Sequence, residues 1–153
     1  MIASIASYVR TLIEGGSNFD RYLFEDDKDA LSPEAQRGLS LFSSARLNCA
    51  SCHRGFLLSG PTRSVRAQFE PSFYRTGVSD SRQNFRSPSL RFIRHTAPYM
   101  HDGSMQTLDD VLAFYAAGGR REGGLGKNAS ERIRPFELSG TEKAALLAFL
   151  NSL

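Results

Sequence analysis

The stretch Cys49-Ala50-Ser51-Cys52-His53 is the part of this sequence that decides its fold. Cys-x-x-Cys-His is the attachment motif of c-type haem. Two thiols separated by two residues on a helical turn can each form a thioether with a vinyl group of the porphyrin, while the next residue directs a ring nitrogen at the iron. The spacing therefore predicts one covalent haem, held by Cys49 and Cys52, with His53 as the proximal ligand.

Two other interpretations of the motif fit the rest of the chain less well. A zinc site needs four nitrogen or sulfur donors, and beyond the motif only His95 and His101 could supply another. A thioredoxin-like dithiol usually begins a helix in a sequence that alternates strands with helices, and this chain has no convincing alternation of apolar and polar residues. Both cysteines belong to the motif, so none remains for a disulfide.

The length of 153 residues suits one domain with an extension, and the formal net charge is +3. Arginines of the middle third carry much of the positive charge: Arg63, Arg66, Arg75, Arg82, Arg86, Arg91 and Arg94. We expect a solvated surface, with one or two arginines paired with haem propionates. Neither a basic helix face nor a nucleic-acid-binding motif accompanies the charge, so nucleic acid is not an expected partner. An acidic redox protein remains an open possibility.

The start of the chain conflicts with the haem motif. Residues 2–7 (IASIAS) lack the basic leader and the long apolar core of a signal peptide. Haem is normally attached to such motifs in an oxidising, extracytoplasmic compartment. We therefore expect either that an exported start is missing from this sequence or that the motif carries no haem. No apolar run approaches the length that crosses a bilayer, so no membrane span is expected.

Two helices are expected before the motif. The first spaces its apolar residues at helical intervals until Gly15-Gly16 stops the pattern; these residues are Ile5, Tyr8, Val9, Leu12 and Ile13. The second begins with Ser32 as N-cap and Pro33 at the first helical position. It carries apolar residues toward the motif: Leu39, Leu41 and Phe42.

Two more helices are expected after the motif. Thr107 with Asp110, and Ser139 with Glu142, are capping-box patterns that mark their starts. The last helix carries one apolar stripe: Leu146, Leu147, Leu150 and Leu153. Together with the motif, the helices predict an all-α, cytochrome c-like haem domain with long loops. This domain would cover residues 31–153, and residues 1–30 would form an N-terminal helix and linker.

The second half of the chain resembles a known family. Residues 85–91 (FRSPSLR), 96–104 (TAPYMHDGS) and the helix that starts at Thr107 resemble the C-terminal haem domain of bacterial di-haem cytochrome c peroxidases and MauG-like proteins. Residues 31–38 (LSPEAQRG) and 134–138 (RPFEL) resemble the MauG-like branch that includes MbnH. The resemblance covers nearly the whole chain.

The resemblance implies that this chain is one half of a periplasmic two-haem enzyme. Members have an N-terminal domain whose haem meets peroxide, and residues 2–22 resemble the segment leading out of that domain. The implied role is electron transfer within a peroxidase-type oxidoreductase, between the peroxide-reactive haem and a redox protein partner. No residue here would then be catalytic, and the chain alone should turn over little peroxide. The alternative is a free-standing mono-haem cytochrome c that carries electrons.

Three side chains compete to be the sixth iron ligand. Met100 and Met105 are candidates because a thioether is a usual ligand in cytochromes c and raises the potential. The resemblance instead places the distal ligand on the third predicted helix, where peroxidases have methionine and MauG has tyrosine. Tyr115 occupies that position, and a phenolate would stabilise ferric iron. An open site, ligation by His101, or Tyr115 as an ordinary core aromatic are the remaining alternatives.

The resemblance also implies a calcium site. In the family, the carbonyls of residues matching Thr96 and Pro98 help to bind a calcium ion shared with the first domain. Oxygen donors suit calcium, yet two carbonyls alone bind it weakly, so calcium is expected only when the other domain is present. The same segment places His101 at the interface between the haem domains. His95 is expected to have a structural role.

Overall fold

The computed structural model describes residues 2–12, 15–60, 73–78, 84–119 and 129–153. Five α-helices lie within these ranges: α1 (Ile2–Val9), α2 (Asn18–Phe24), α3 (Pro33–Phe42), α4 (Leu108–Ala116) and α5 (Gly140–Leu150). Two short strands, β1 (Phe73–Tyr74) and β2 (Phe85–Arg86), pair in antiparallel register. The predicted helical, cytochrome c-like class is confirmed, and the small sheet is an addition to it. Four residues discussed above, Ile13, Arg63, Arg66 and Arg82, lie outside the described residues.

Side-chain caps start three helices where the sequence predicts them. The hydroxyl of Ser32 caps α3, and Pro33 stands in its first turn. The capping boxes at Thr107 and Ser139 are both reciprocal, because each hydroxyl accepts a backbone N–H three residues on while the acidic side chain there accepts the backbone N–H of the cap. A cap of this kind contributes about 1 kcal/mol. The boundaries of α3, α4 and α5 therefore follow from local sequence.

The main core lies where α3 crosses α5. Gly38 permits the close approach, since a Cβ there would lie 2.0 Å from the carbonyl oxygen of Ala145. Phe149 of α5 is fully buried and packs edge-on against Phe19 and at a tilt against Phe42. Because Phe19 belongs to α2, the segment before residue 30 contributes to the same core. The division of the chain at residue 30 stays a prediction.

The N-terminal helix forms, although not as its apolar spacing suggested. It ends at Val9, well before Gly15, and none of its residues is buried. Its apolar side chains and that of Leu12 are 56% to 85% exposed: Ile2, Ile5, Tyr8, Val9 and Leu12. Amphipathic spacing thus predicted the helix correctly, but the described core does not cover its apolar face. Among the described residues, no helix is both long and apolar enough to span a membrane.

A second, smaller apolar cluster surrounds α4. Its buried members come from three parts of the chain: Val78, Tyr99, Met105 and Phe114. Met100, Val111 and Tyr115 pack against it and are partly buried. Phe114 and Tyr115 meet edge to face, with ring centroids 5.4 Å apart. This cluster brings the three candidate distal ligands into one region of the molecule.

Candidate haem site

The Cys-x-x-Cys-His motif folds as one tight turn. Its first three residues form a 3-10 helix (Cys49–Ser51), preceded by Asn48 in the left-handed conformation with φ of 58°. The side-chain amide of Asn48 donates to the carbonyl of Arg132 at 3.0 Å, which ties the turn to the segment before α5. The backbone N–H of His53 donates to the carbonyl of Cys49 at 3.0 Å. Both thiols and the imidazole therefore lie within a single turn, as haem attachment requires.

Both cysteines are free, half-buried thiols. Burial raises the pKa of the Cys49 thiol to about 11, and the neighbouring Cys52 adds to the increase. Cys49 is therefore protonated at neutral pH and is a poor thiolate nucleophile or metal ligand by itself. Because both thiols are free and only partly buried, each is available to form a thioether bond.

A backbone carbonyl holds the ring of His53 in place. Its Nδ1 lies 2.9 Å from the carbonyl oxygen of Leu58. Because a carbonyl can only accept a hydrogen bond, Nδ1 must carry the proton, and Nε2 then keeps its lone pair for a metal. Burial lowers the pKa of His53, while the carbonyls of Leu58 and Pro88 oppose the decrease. The neutral imidazole and the two thiols fit a covalently bound haem.

Tyr115 belongs to α4, far from the motif in sequence, and is half-buried. Burial raises the pKa of its phenol to about 12, and the thiols of Cys52 and Cys49 add to the increase. Met105 is buried, and its backbone pairs with that of Tyr99. Met100 is half-buried and has a positive φ of 71°. All three stay predicted ligands.

The two remaining histidines are engaged elsewhere. Nε2 of His95 accepts a hydrogen bond of 2.8 Å from Nε of the adjacent Arg94, and the structural role of His95 stays a prediction. His101 is exposed and stacks on Phe85, with ring centroids 3.9 Å apart. Ligation of iron by His101 stays untested.

The proposed calcium carbonyls belong to an exposed segment. Thr96 and Pro98 are both exposed, and the Thr96 hydroxyl donates to the carbonyl of Ile93 at 3.1 Å. In the described part of the chain, no backbone N–H donates to the carbonyl of either residue. Calcium binding there stays a prediction.

Arg91 differs from the solvated arginine that composition suggested. It is 7% exposed and pairs with Asp20, which sequence reasoning did not single out. Its Nη2 is buried without a hydrogen-bond partner among the described residues, which is compatible with the expected pairing of an arginine with a haem propionate. A sequence signal for Asp20 exists, because Ser17 and Asp20 form a capping box at the start of α2.

Comparison with known proteins gives one consistent result. No protein-family model matches the chain. The cytochrome-c peroxidase IdrP1 of Pseudomonas sp. (strain SCT) is 34% identical to this chain over an alignment of 189 positions. The alignment covers 98% of this chain and 48% of that protein. The methylamine utilization protein MauG of Methylorubrum extorquens is 35% identical over 161 residues, covering 99% of this chain and 43% of MauG.

A solved structure agrees with these relatives. The crystal structure of a MauG-like protein associated with microbial copper homeostasis superposes with a TM-score of 0.86 at 32% identity. The match covers 99% of this chain and 55% of that one. The chain thus spans about half the length of the curated relatives it matches.

Proposed function

Because this chain belongs to the family of bacterial cytochrome c peroxidases and MauG, we propose that it is the c-type haem electron-transfer domain of a periplasmic di-haem oxidoreductase. In this proposal it exchanges electrons between the peroxide-reactive haem of a preceding N-terminal domain and a redox protein partner. The observation that carries the proposal is the orientation of His53, whose Nδ1 is held by the Leu58 carbonyl on the same turn as two free thiols.

The chain's own residues would hold the haem in four places. Cys49 and Cys52 would form the thioethers, His53 would bind iron through Nε2, and Tyr115 would supply a second ligand to the iron. When bound, the haem supplies a one-electron couple between ferric and ferrous iron. The Leu58 carbonyl would fix the tautomer and direction of the imidazole, and the apolar cluster around α4, against which Tyr115 packs, would limit the access of water to its phenol.

The relatives favour a peroxidase-type enzyme over a free-standing electron carrier. Those named above are a peroxidase and MauG, and the match covers 48% of the first and 43% of the second. We place the peroxide-reactive haem in the part of the protein that corresponds to the rest of those relatives. The calcium ion at Thr96 and Pro98 would then be shared with that part.

The proposal predicts that the chain, produced in a periplasm with the haem-maturation machinery, carries one covalent haem and a reversible one-electron couple. It should turn over little peroxide by itself, since the second haem is absent from it. Pyridine haemochrome analysis, spectroelectrochemistry and a peroxide assay measure the three properties. A colourless product would contradict the whole proposal. Rapid peroxide turnover by the chain alone would contradict the placement of the reactive haem in another domain.

Replacing Tyr115 with phenylalanine is expected to convert a low-spin ferric spectrum to a high-spin one. The phenol is the proposed sixth ligand, and phenylalanine keeps the ring while removing the only atom that can bind iron. Absorption and electron paramagnetic resonance (EPR) spectra of the ferric protein measure the change. Tyr99→Phe is the matched control, because Tyr99 is buried in the same cluster but donates its hydroxyl to the carbonyl of Ile93. An unchanged spectrum in Tyr115→Phe would move the ligand to Met100 or Met105.

A further inference from the structure

A buried ion pair joins the N-terminal part of the chain to the loop that follows His53. We call residues 54–58 the proximal loop. Nη1 of Arg91 pairs with a carboxylate oxygen of Asp20 on α2 and lies 3.5 Å from the hydroxyl of Ser17. Nε of the same guanidinium donates to the carbonyl of Phe56 at 2.7 Å. One side chain therefore links α2 directly to the proximal loop.

Further contacts hold the same loop. The guanidinium carbon of Arg91 lies 4.5 Å from the ring centroid of Phe56 and 5.7 Å from that of Phe19. The carbonyl of Leu57 accepts hydrogen bonds from the hydroxyl of Ser89 at 2.8 Å and from the backbone N–H of Leu90 at 3.3 Å. Phe56 and Leu57 of the proximal loop are thus bound to residues 89–91.

The proximal loop ends at the carbonyl that orients His53. Leu58 has a φ of 49°, a left-handed conformation that is unfavourable for leucine. Such a residue keeps its conformation only where surrounding contacts impose it. The bonds from Arg91 and Ser89 to the two preceding carbonyls are contacts of this kind, so they help to determine where the Leu58 carbonyl points.

We propose that Arg91, anchored by Asp20, is a positioning residue for His53. By fixing the proximal loop it holds the Leu58 carbonyl against Nδ1 and so sets how strongly the imidazole donates to iron. This inference rests on the proposed function, in which His53 is the proximal ligand. A firm Nδ1 hydrogen bond makes the imidazole a better donor, which stabilises ferric iron and lowers the reduction potential. Loosening the loop should therefore raise the potential.

The variant Arg91→Lys distinguishes the positioning role of Arg91 from the effect of its positive charge. Lysine keeps a positive charge beside Asp20, but its single ammonium cannot reproduce the rigid fork that reaches both Asp20 and the Phe56 carbonyl. The haem-loaded variant is expected to bind one haem per chain, to have a higher midpoint potential, and to show altered ferric EPR g values. Arg94→Lys is the matched control, since Arg94 is exposed and contacts His95 and the carbonyl of Asn151 instead. We expect its potential to be that of the original protein.

Ser89→Ala tests the same loop by a second route. Ser89 is exposed, and its hydroxyl reaches the proximal loop through the carbonyl of Leu57. We expect a smaller upward shift in potential and g values that change in the same direction as in Arg91→Lys. A purely structural role for Arg91 would lower the thermal stability without moving the potential or the g values.

The outcomes separate this inference from the proposed function. If Arg91→Lys loads haem normally but keeps the original potential and g values, the positioning role is wrong while the haem assignment stands. If Arg91→Lys does not fold, an unshifted potential in Ser89→Ala overturns the inference instead. If the unsubstituted chain binds no covalent haem, the proposed function fails and the inference fails with it.

Discussion

Replacing both Cys49 and Cys52 with alanine is expected to abolish covalent haem attachment completely. Each thioether needs one thiol, and both thiols of the chain lie in this motif. In the structure both are free thiols on one turn. Any haem that still enters the site through His53 should be removed by acid acetone, whereas a thioether-bound haem should not. Haem staining of the denatured protein and acid-acetone extraction measure the loss.

Ser51→Ala is the control for the cysteine substitutions. Ser51 lies between the two cysteines, and its hydroxyl donates to the carbonyl of Asn48 at 2.8 Å. The substitution removes a polar atom from the turn but preserves the Cys-x-x-Cys-His motif, so covalent attachment of haem should persist. Pigment that resists extraction in the double alanine variant would show that some other group anchors the haem.

The proximal side of the site was largely predictable because its chemistry is encoded locally. Five consecutive residues supply the two thiols and the imidazole that haem attachment needs. Because the segment is so short, the distances between these three groups can vary little. The starts of α3, α4 and α5 were predictable for the same reason, since a cap depends on residues only three apart. What the motif does not contain is the acceptor for Nδ1, and Leu58 carries no side-chain signal for that role.

The distal side required information from outside the motif. Nothing in the periodicity of α4 places Tyr115 near Cys49 and Cys52, and the family resemblance was needed to single it out. The assignment of Tyr115 as a ligand of iron stays a prediction. The strands β1 and β2 gave no signal either, because two residues are too few to display an alternating pattern.

The pairing of Asp20 with Arg91 could not be predicted from sequence for a different reason. Charged residues are usually exposed, so an isolated aspartate and one arginine among many are both expected at the surface. Their burial depends on the packing of α2 beside residues 89–91. The spacing of apolar residues along the sequence does not predict such a contact between distant segments. The apolar spacing of α1 predicted a helix, but it carries no information on whether the described core covers that face, and none of its residues is buried.

Replacing Arg91 with methionine is expected to destabilise the haem-loaded protein by about 3–5 kcal/mol at pH 7, the usual effect of removing one partner from a buried ion pair. Methionine fills much of the arginine's volume, but it leaves the Asp20 carboxylate buried with only Ser17 as a hydrogen-bond donor. Urea unfolding followed by the Soret band measures the loss. Arg94→Met, at an exposed position on the same segment, should change the free energy of unfolding by less than about 1 kcal/mol.

The pH dependence of the stability lost in Arg91→Met would identify the unpaired carboxylate of Asp20 as the cause of that loss. Burial opposes ionisation of Asp20, but hydrogen bonds from Arg91 and Ser17 outweigh it and hold the pKa below the ordinary value of 3.8. In the original protein this pairing stabilises the fold fully above that value and is lost as the pH falls through the lower folded pKa. In Arg91→Met, burial should instead raise the pKa of Asp20. The free-energy penalty of the buried carboxylate then diminishes as the pH falls and the carboxyl takes up a proton, so the stabilities of Arg91→Met and the original protein should converge in acid.

A second substitution tests the same cause at pH 7. Adding Asp20→Asn to Arg91→Met should recover at least about 1 kcal/mol of the lost stability. A deficit that stays constant from pH 7 to acid, or that Asp20→Asn does not reduce, would mean that lost packing rather than an unpaired charge is responsible.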